Sequence, residues 1–294
     1  MKLQTVAQSL TPALPLFRCP LCGEPLSLAQ GQSLLCGNRH CYDLSAKGYV
    51  NLAPNRNQTL EKYDAALFES RRRVFAAGFY APVAAALCQA VAAQLGAPAR
   101  SANLGRPPVV LDAGCGEGYY ARELANLPQS PVVVGVDLSR DALLAAARQP
   151  PLLPYLVADL TRLPLRDASV DALVDVLTPA DYAEFARVLK PGGLLYKIVP
   201  AEDYLTEVRS AVTEHLRGEP FSNARVIEHL RDHADILSRT VVRQQFSVTP
   251  EQARDFLRMT PMTFGLSDEQ LAGVMFGTIT VAMELLVCHT ISNP

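Results

Sequence analysis

No stretch of this chain is long and apolar enough to span a membrane as a helix, so a membrane-integral role is not expected. Nor does either charge dominate: 27 Lys and Arg stand against 29 Asp and Glu, a formal net charge of -2. Such a chain has no global field to draw in nucleic acid, and any basic surface has to be local. Internal repeats and low-complexity tracts are missing too, which sets aside repeat architectures. Residues 1–16 contain Gln4, Thr5 and Gln8 and lack a long apolar stretch and a small-residue cleavage pattern. We expect no signal peptide there and read 1–16 as a flexible leader. What the chain has in quantity is apolar: 49% of its 294 residues are hydrophobic, enough for a full α/β core with a small appendage. Its seven cysteines suggest a reducing cytoplasm rather than a disulfide framework, because four of them gather near residue 30.

That gathering is Cys19-Pro-Leu-Cys22, thirteen further residues, then Cys36-Gly-Asn-Arg-His40. Two closely spaced pairs of soft or borderline ligands are what a tetrahedral zinc ion requires. Gly23 permits the backbone turn that aims the first two sulfurs at one metal. Four protein ligands would close the coordination sphere and make the site structural. Cys41 competes with His40 for the fourth position, and the three-residue spacer after Cys36 favours His40. Loss of Cys22 is expected to unfold only the first ~50 residues, since structural zinc supplies much of a small module's stability.

A second pattern lies at Val109-Val-Leu-Asp-Ala-Gly-Cys-Gly-Glu-Gly-Tyr-Tyr120, an apolar run that ends in a glycine-rich turn before a helical stretch. Glycines there let the backbone approach a ligand lying across the end of a parallel strand. Asp112, Gly114, Gly116 and Glu117 are its candidate binding residues. Asp137 ends the next apolar run, where a carboxylate can accept from both ribose hydroxyls. Asp159 ends the third, near the expected position of an adenine amino group. The loop carries Glu117 and no Lys or Arg, which suits the cationic sulfonium of S-adenosylmethionine better than a dinucleotide pyrophosphate.

Alternation of apolar runs and helical stretches from residue 109 predicts a parallel sheet wound on both faces. Strands are expected at 109–112, 132–136, 155–158, 171–177 and 194–199, with a helix at 181–189. Late strands at 241–248 and 277–288 flank a helix at 250–258, and helices at 63–77 and 82–95 precede the sheet. The organisation is then a leader at 1–16, a zinc module at 17–52, a helical connector at 53–108 and a catalytic domain at 109–294.

Taken together, the chain resembles the bacterial 23S rRNA guanine-N1 methyltransferases, the group that includes tylosin-resistance relatives. The resemblance rests on Cys19-Pro-Leu-Cys22, Arg39-His40, Lys47-Gly-Tyr-Val-Asn-Leu52, Arg72-Arg73, Ala77-Gly-Phe-Tyr80, the 111–120 loop, Leu163-Pro164 and Arg187-Val-Leu-Lys-Pro-Gly-Gly193. It implies a class I (Rossmann-like) methyltransferase sheet with an antiparallel last strand, preceded by a zinc-binding module that helps recognise RNA. S-Adenosylmethionine and structural Zn2+ are the implied cofactors, a 23S rRNA hairpin the implied partner, and a homodimer the implied assembly. Carried onto matching positions, Tyr80, Gly116, Glu117 and Tyr204 would contact the cofactor, and Cys19, Cys22, Cys36 and His40 the metal.

The methyl-accepting base should meet the loop after the fourth strand. Thr178 and Pro179 would shape its pocket with carbonyls able to accept hydrogen bonds, and Asp181 is a candidate acceptor for the guanine N1 proton or else a helix cap. Asp175 reads as a solvent-facing or edge position. Arg71, Arg72 and Arg73, with Arg39 and Lys47, are candidate phosphate contacts; the alternative is a solvated helix face paired with Glu61 and Glu69. Tyr42, Tyr49, Phe79 and Tyr80 are candidate stacking surfaces, whereas His215, His229, His233 and His289 read as surface or packing residues. Two other classes remain: a small-molecule methyltransferase of the quinone or antibiotic-precursor type, and an RNA-binding protein whose catalytic core has lost activity.

Overall fold

The computed structural model describes residues 2–53, 64–97, 106–212, 222–264 and 266–291. The polar connector at 54–58, Glu61, the turn-rich stretch 98–105 and His215 lie outside them.

Helix α1 (Leu3–Leu10) and a 3-10 turn (Thr11–Leu16) open the fold. This corrects the flexible leader. Leu3, Val6, Ala7 and Leu10 recur at helical spacing, and Val6, Leu10, Ala13 and Leu16 are buried in one core with Leu111 and Val134 of the central sheet. Strands β1 (Leu26–Ala29), β2 (Ser33–Cys36), β3 (Cys41–Ser45) and β4 (Tyr49–Asn51) follow as an antiparallel meander.

The metal-bearing meander is continuous with the catalytic sheet. Val50 and Asn51 pair in parallel with Leu156 and Val157 of a later strand. Phe17 bridges Leu165, and the Arg18 N–H donates to the Pro164 carbonyl at 3.0 Å. The segment Tyr49-Val50-Asn51-Leu52 is therefore a strand of the main sheet and its exit.

Helices α2 (Ala65–Ala76) and α3 (Ala81–Leu95) occupy the expected stretches, the first capped by the Asp64 carboxylate accepting from the Leu67 N–H at 2.8 Å. The apolar runs then become β5 (Val109–Ala113), β6 (Val132–Asp137), β7 (Tyr155–Val157), β8 (Val170–Val176) and β9 (Leu189–Pro200). All residues of β5 are buried, as befits a parallel strand covered on both faces. Between these strands lie α4 (Tyr119–Ala125), α5 (Arg140–Ala147) and α6 (Tyr182–Val188). Strand β9 starts earlier than expected and absorbs Lys190-Pro-Gly-Gly193 through a register irregularity opposite Val170 and Ala172. After α7 (Thr206–Ala211) and α8 (Ala224–Arg231), β10 (Ala234–Ser247) and β11 (Thr278–Thr290) close the sheet, with α9 (Pro250–Met259) between them.

The strand order is β1-β2-β3-β4-β7-β6-β5-β8-β9-β11-β10, and β11 runs antiparallel to both neighbours. The chain winds outward from β5 to β7 and then returns to β8 on the other side of β5. The carboxyl ends of β5 and β8 thus border the topological switch point, where open α/β sheets hold their ligands.

Candidate active site and metal centre

A cavity of about 740 Å³ opens at that switch point. It brings together Tyr80, Asp112, Gly114, Gly116, Glu117, Asp137, Asp159 and Tyr204, the whole cofactor set read from the sequence. Thr178, Pro179 and Asp181 line the same cavity. Gly114 has φ +74°, and a Cβ there would overlap the Thr178 side chain, so the cofactor loop and the β8 loop sit in direct contact.

Each carboxylate has its own environment. The Asp137 oxygens accept from the Gly116 N–H at 2.8 Å and from the Ser139 N–H at 2.8 Å, which ties the glycine loop to the end of β6. Asp159 accepts from the Thr161 N–H at 3.0 Å. Glu117 pairs with Arg122 at 3.1 Å, yet its Oε1 and the Asp112 Oδ2 are buried without a hydrogen-bond partner. Orphaned acceptors in this cavity fit a ligand bearing an ammonium and a sulfonium, and so fit S-adenosylmethionine. Tyr80 and Tyr204 share a hydroxyl–hydroxyl contact of 2.7 Å in the opposite wall.

Burial, reinforced by the charge of Asp137, pushes the Asp112 carboxyl up to about 7. A carboxyl raised from 3.8 favours the folded state only while protonated, so its contribution is full below that value and lost as pH rises through about 7. The ligand-free protein should therefore lose melting temperature across this window, and Asp112→Asn should remove that part of the slope. Equal slopes in thermal scans of the two proteins would assign the effect elsewhere.

Asp175, expected at an exposed edge, is fully buried at the end of β8, where its carboxylate pairs with the Lys197 ammonium at 2.8 Å. The error arises from register: Lys197 is its neighbour on β9, a pairing the sequence does not display. Nor is the Thr178 carbonyl free, since it accepts from Lys197 Nζ at 3.2 Å. Asp181 caps α6, accepting from the Glu184 N–H at 3.0 Å.

The arginine cluster is also redistributed. Arg72 pairs with Glu69 at 2.9 Å, as the solvated-face alternative held, and Arg73 with Asp255 of α9 at 2.8 Å. Both thus pair with acids, the arrangement the solvated-face alternative expects. Arg71 lines the cavity, where its Nε donates to the Met259 carbonyl at 3.2 Å. Burial pushes the Glu117 and Asp137 carboxyls up, and the Arg71 charge works against that rise. Arg39 and Lys47 remain exposed on the meander.

Sequence reasoning missed several walls. Phe75 stacks on Tyr119 with centroids 4.6 Å apart, and Met259, Thr260 and Met262 line the cavity from beyond α9. The only signal was the aromatic pair Tyr119-Tyr120. Phe79 is a core residue packed edge-on against Phe246 and Phe256, and His233 stacks on Tyr182 as a packing residue.

At the metal centre, Cys19, Cys22, Cys36 and His40 bring their ligand atoms within 4.8 Å of one another, while Cys41 points elsewhere on the exposed side of β3. The Cys22 and Cys36 sulfurs are 3.7 Å apart, and His40 Nδ1 lies 3.4 Å and 3.5 Å from the Cys19 and Cys36 sulfurs. A tetrahedron with metal–sulfur bonds of about 2.3 Å and a metal–nitrogen bond of about 2.0 Å has edges of about 3.5–3.8 Å, so the donor set fits zinc. Tyr42, a candidate stacking surface, is buried instead with its hydroxyl 3.2 Å from the Cys19 sulfur. Burial raises the Cys19 thiol, but that hydroxyl and the Cys22 and Leu21 backbone outweigh it and bring it to about 6, which favours the thiolate a metal needs.

Comparison with known proteins agrees with both sites. A methyltransferase-domain family matches residues 110–193, and the N-terminal zinc ribbon of RlmA proteins matches residues 17–59. The chain is 30% identical over 280 residues to the 23S rRNA (guanine(748)-N(1))-methyltransferase of Streptomyces fradiae, covering 93% of this chain and 96% of that one. It is 34% identical over 281 residues to YxjB of Bacillus subtilis (strain 168), to which a 23S rRNA (guanine-N(1)-)-methyltransferase activity is ascribed, covering 92% and 96% of the two chains. A match to malonyl-[acyl-carrier protein] O-methyltransferase 1 of Coxiella burnetii (strain RSA 493 / Nine Mile phase I), 28% identical over 181 residues, spans only 58% of this chain and 62% of that one. With zinc ribbon, connector and cofactor sheet all matched in one continuous alignment, the chain belongs to the 23S rRNA guanine-N1 methyltransferase family.

Proposed function

We propose that the protein transfers the methyl group of S-adenosylmethionine to N1 of a guanine in 23S rRNA. The observation that carries this reading is the zinc ribbon built into the same sheet as the cofactor cavity. A small-molecule methyltransferase needs no such module, and the acyl-carrier relative matches only 58% of the chain.

When bound, S-adenosylmethionine supplies an electrophilic methyl on a sulfonium. Asp137 suits the ribose hydroxyls, Asp159 the adenine edge, and Asp112 the ammonium, while Tyr80 and Tyr204 close the side facing the base. The Leu177–Asp181 loop would form the other face of the base slot. Guanine N1 must lose a proton, and Asp181 has one carboxylate oxygen beyond the one that caps α6, so it can accept or orient that proton. The chain's main contribution is alignment, holding acceptor and donor at about 3–3.5 Å in line.

A concave cavity at the end of the sheet takes an unstacked base, which supports a hairpin loop rather than continuous duplex as the target. Arg39 and Lys47 on the ribbon, with Arg71 at the cavity, are candidate basic contacts to RNA. The homodimer implied by the resemblance belongs to this proposal, and sedimentation of the purified protein tests it. An rRNA substrate supports a cytoplasmic location. Among the described residues no single helix is long and apolar enough to cross a membrane.

Incubating the purified protein with labelled cofactor and unmethylated rRNA, then mapping the product by mass, should give one methylguanine modified at N1. Methylation at another atom, or none, would put the small-molecule reading ahead.

A further inference from the structure

We propose that Lys197 and Asp175 form a buried clamp that sets the position of the base-facing loop, making Lys197 a positioning residue for methyl transfer. The inference rests on the proposed function, because it assumes that Thr178 and Pro179 border the acceptor base. Asp175 and Lys197 are direct neighbours on the parallel pair β8 and β9. Their side chains are 0% and 4% exposed, and Lys197 is the one buried basic residue among the described residues. A buried ion pair is a costly way to join two strands that already share a hydrogen-bonded ladder. Its geometry supplies the reason for keeping it.

The Lys197 ammonium donates to Asp175 Oδ2 at 2.8 Å and, two residues beyond the strand end, to the Thr178 carbonyl at 3.2 Å. The Thr178 N–H lies close enough to the Asp175 carboxylate to favour its ionised form, although burial keeps that carboxyl raised overall. The ion pair thereby anchors the backbone carbonyl of a loop residue. The loop needs such a hold: Leu177 sits at φ +54°, a left-handed conformation that a Leu side chain disfavours. The tolerance is also narrow, since Gly114 of the cofactor loop has no room for even a Cβ against Thr178. Movement of Thr178 in one direction collides with the cofactor loop, and in the other it widens the base slot. A shift of about 1 Å at a reacting geometry costs on the order of 100-fold in rate.

The test uses the full chain. Lys197→Met alone leaves a buried unpaired carboxylate and risks misfolding, so the second variant is the double replacement Asp175→Leu with Lys197→Met, which removes both charges together. Cofactor affinity and stoichiometry, read by calorimetry with S-adenosylhomocysteine, should match the parent. Single-turnover methylation per cofactor site should fall about 10- to 100-fold at saturating rRNA. Hydrogen exchange at the amides of Leu177, Thr178 and Ala180 should quicken about 10-fold or more, with the rest of the sheet unchanged. A rate within twofold of the parent, or unchanged exchange at these amides, overturns the clamp. If the parent transfers no methyl to rRNA, the proposed function fails, and the exchange measurement still decides whether the pair holds the loop.

Discussion

Cys22→Ser should strip the metal from the protein and lower the melting temperature of the entire chain, instead of melting an isolated N-terminal module. Purified parent protein should hold one zinc per chain and the variant none by elemental analysis. The size of the effect follows from two observations. Structural zinc contributes on the order of 10–16 kcal/mol in small modules. Here the module carries β4, whose outer edge pairs with β7, and its Tyr42, Leu44 and Val50 share a core with Leu111 and Val134. Losing the metal therefore also removes a neighbour from the strand that leads to Asp159, and cofactor affinity should fall along with stability. A variant that keeps the parent's melting temperature and cofactor affinity after losing zinc would overturn this coupling and restore the expectation of an independent ribbon.

The second large effect is expected at Asp137. Its carboxylate fixes the Gly116 and Ser139 N–H groups besides facing the ribose position, so Asp137→Ala removes both an organiser of the loop and a ligand contact. Charge-assisted bonds are worth about 1.5–3 kcal/mol each, and losing even one predicts roughly a 10- to 100-fold weaker affinity. Calorimetric titration with S-adenosylhomocysteine measures it. Unchanged affinity would remove Asp137 from the site, and tighter binding of NAD than of the sulfonium cofactor would reassign the cavity.

Much of this was legible in the residues because the signals are local. Apolar runs of four to seven residues separated by helical stretches marked β5 to β8 to within about a residue, and paired ligand spacing marked the metal centre. The cofactor residues lie at or just beyond the carboxyl ends of strands, so finding the strands found Asp112, Asp137 and Asp159. What the sequence hid depends on partners far along the chain. Arg73 meets Asp255 across 182 positions, and Asp175 meets Lys197 only because β9 lies beside β8 in one particular register. Tyr42 looked like a stacking surface because nothing local reveals its approach to Cys19. The N-terminal helix is the exception: its apolar spacing was present in Leu3, Val6, Ala7 and Leu10.

The parallel pairing of Val50 with Leu156 also has a bearing on biogenesis. The two residues are separated by roughly a hundred positions, which a ribosome making about 5–20 residues per second takes on the order of 5–20 s to traverse. Metal can gather the first meander as soon as His40 has emerged, but β4 must then wait with an open edge for β7 to be synthesised. An unpaired edge of that kind invites association with other nascent chains. Zinc supply during translation should therefore govern the yield of monomer-competent protein as well as its final stability, with the ribbon acting as a template on which the parallel sheet is later laid down.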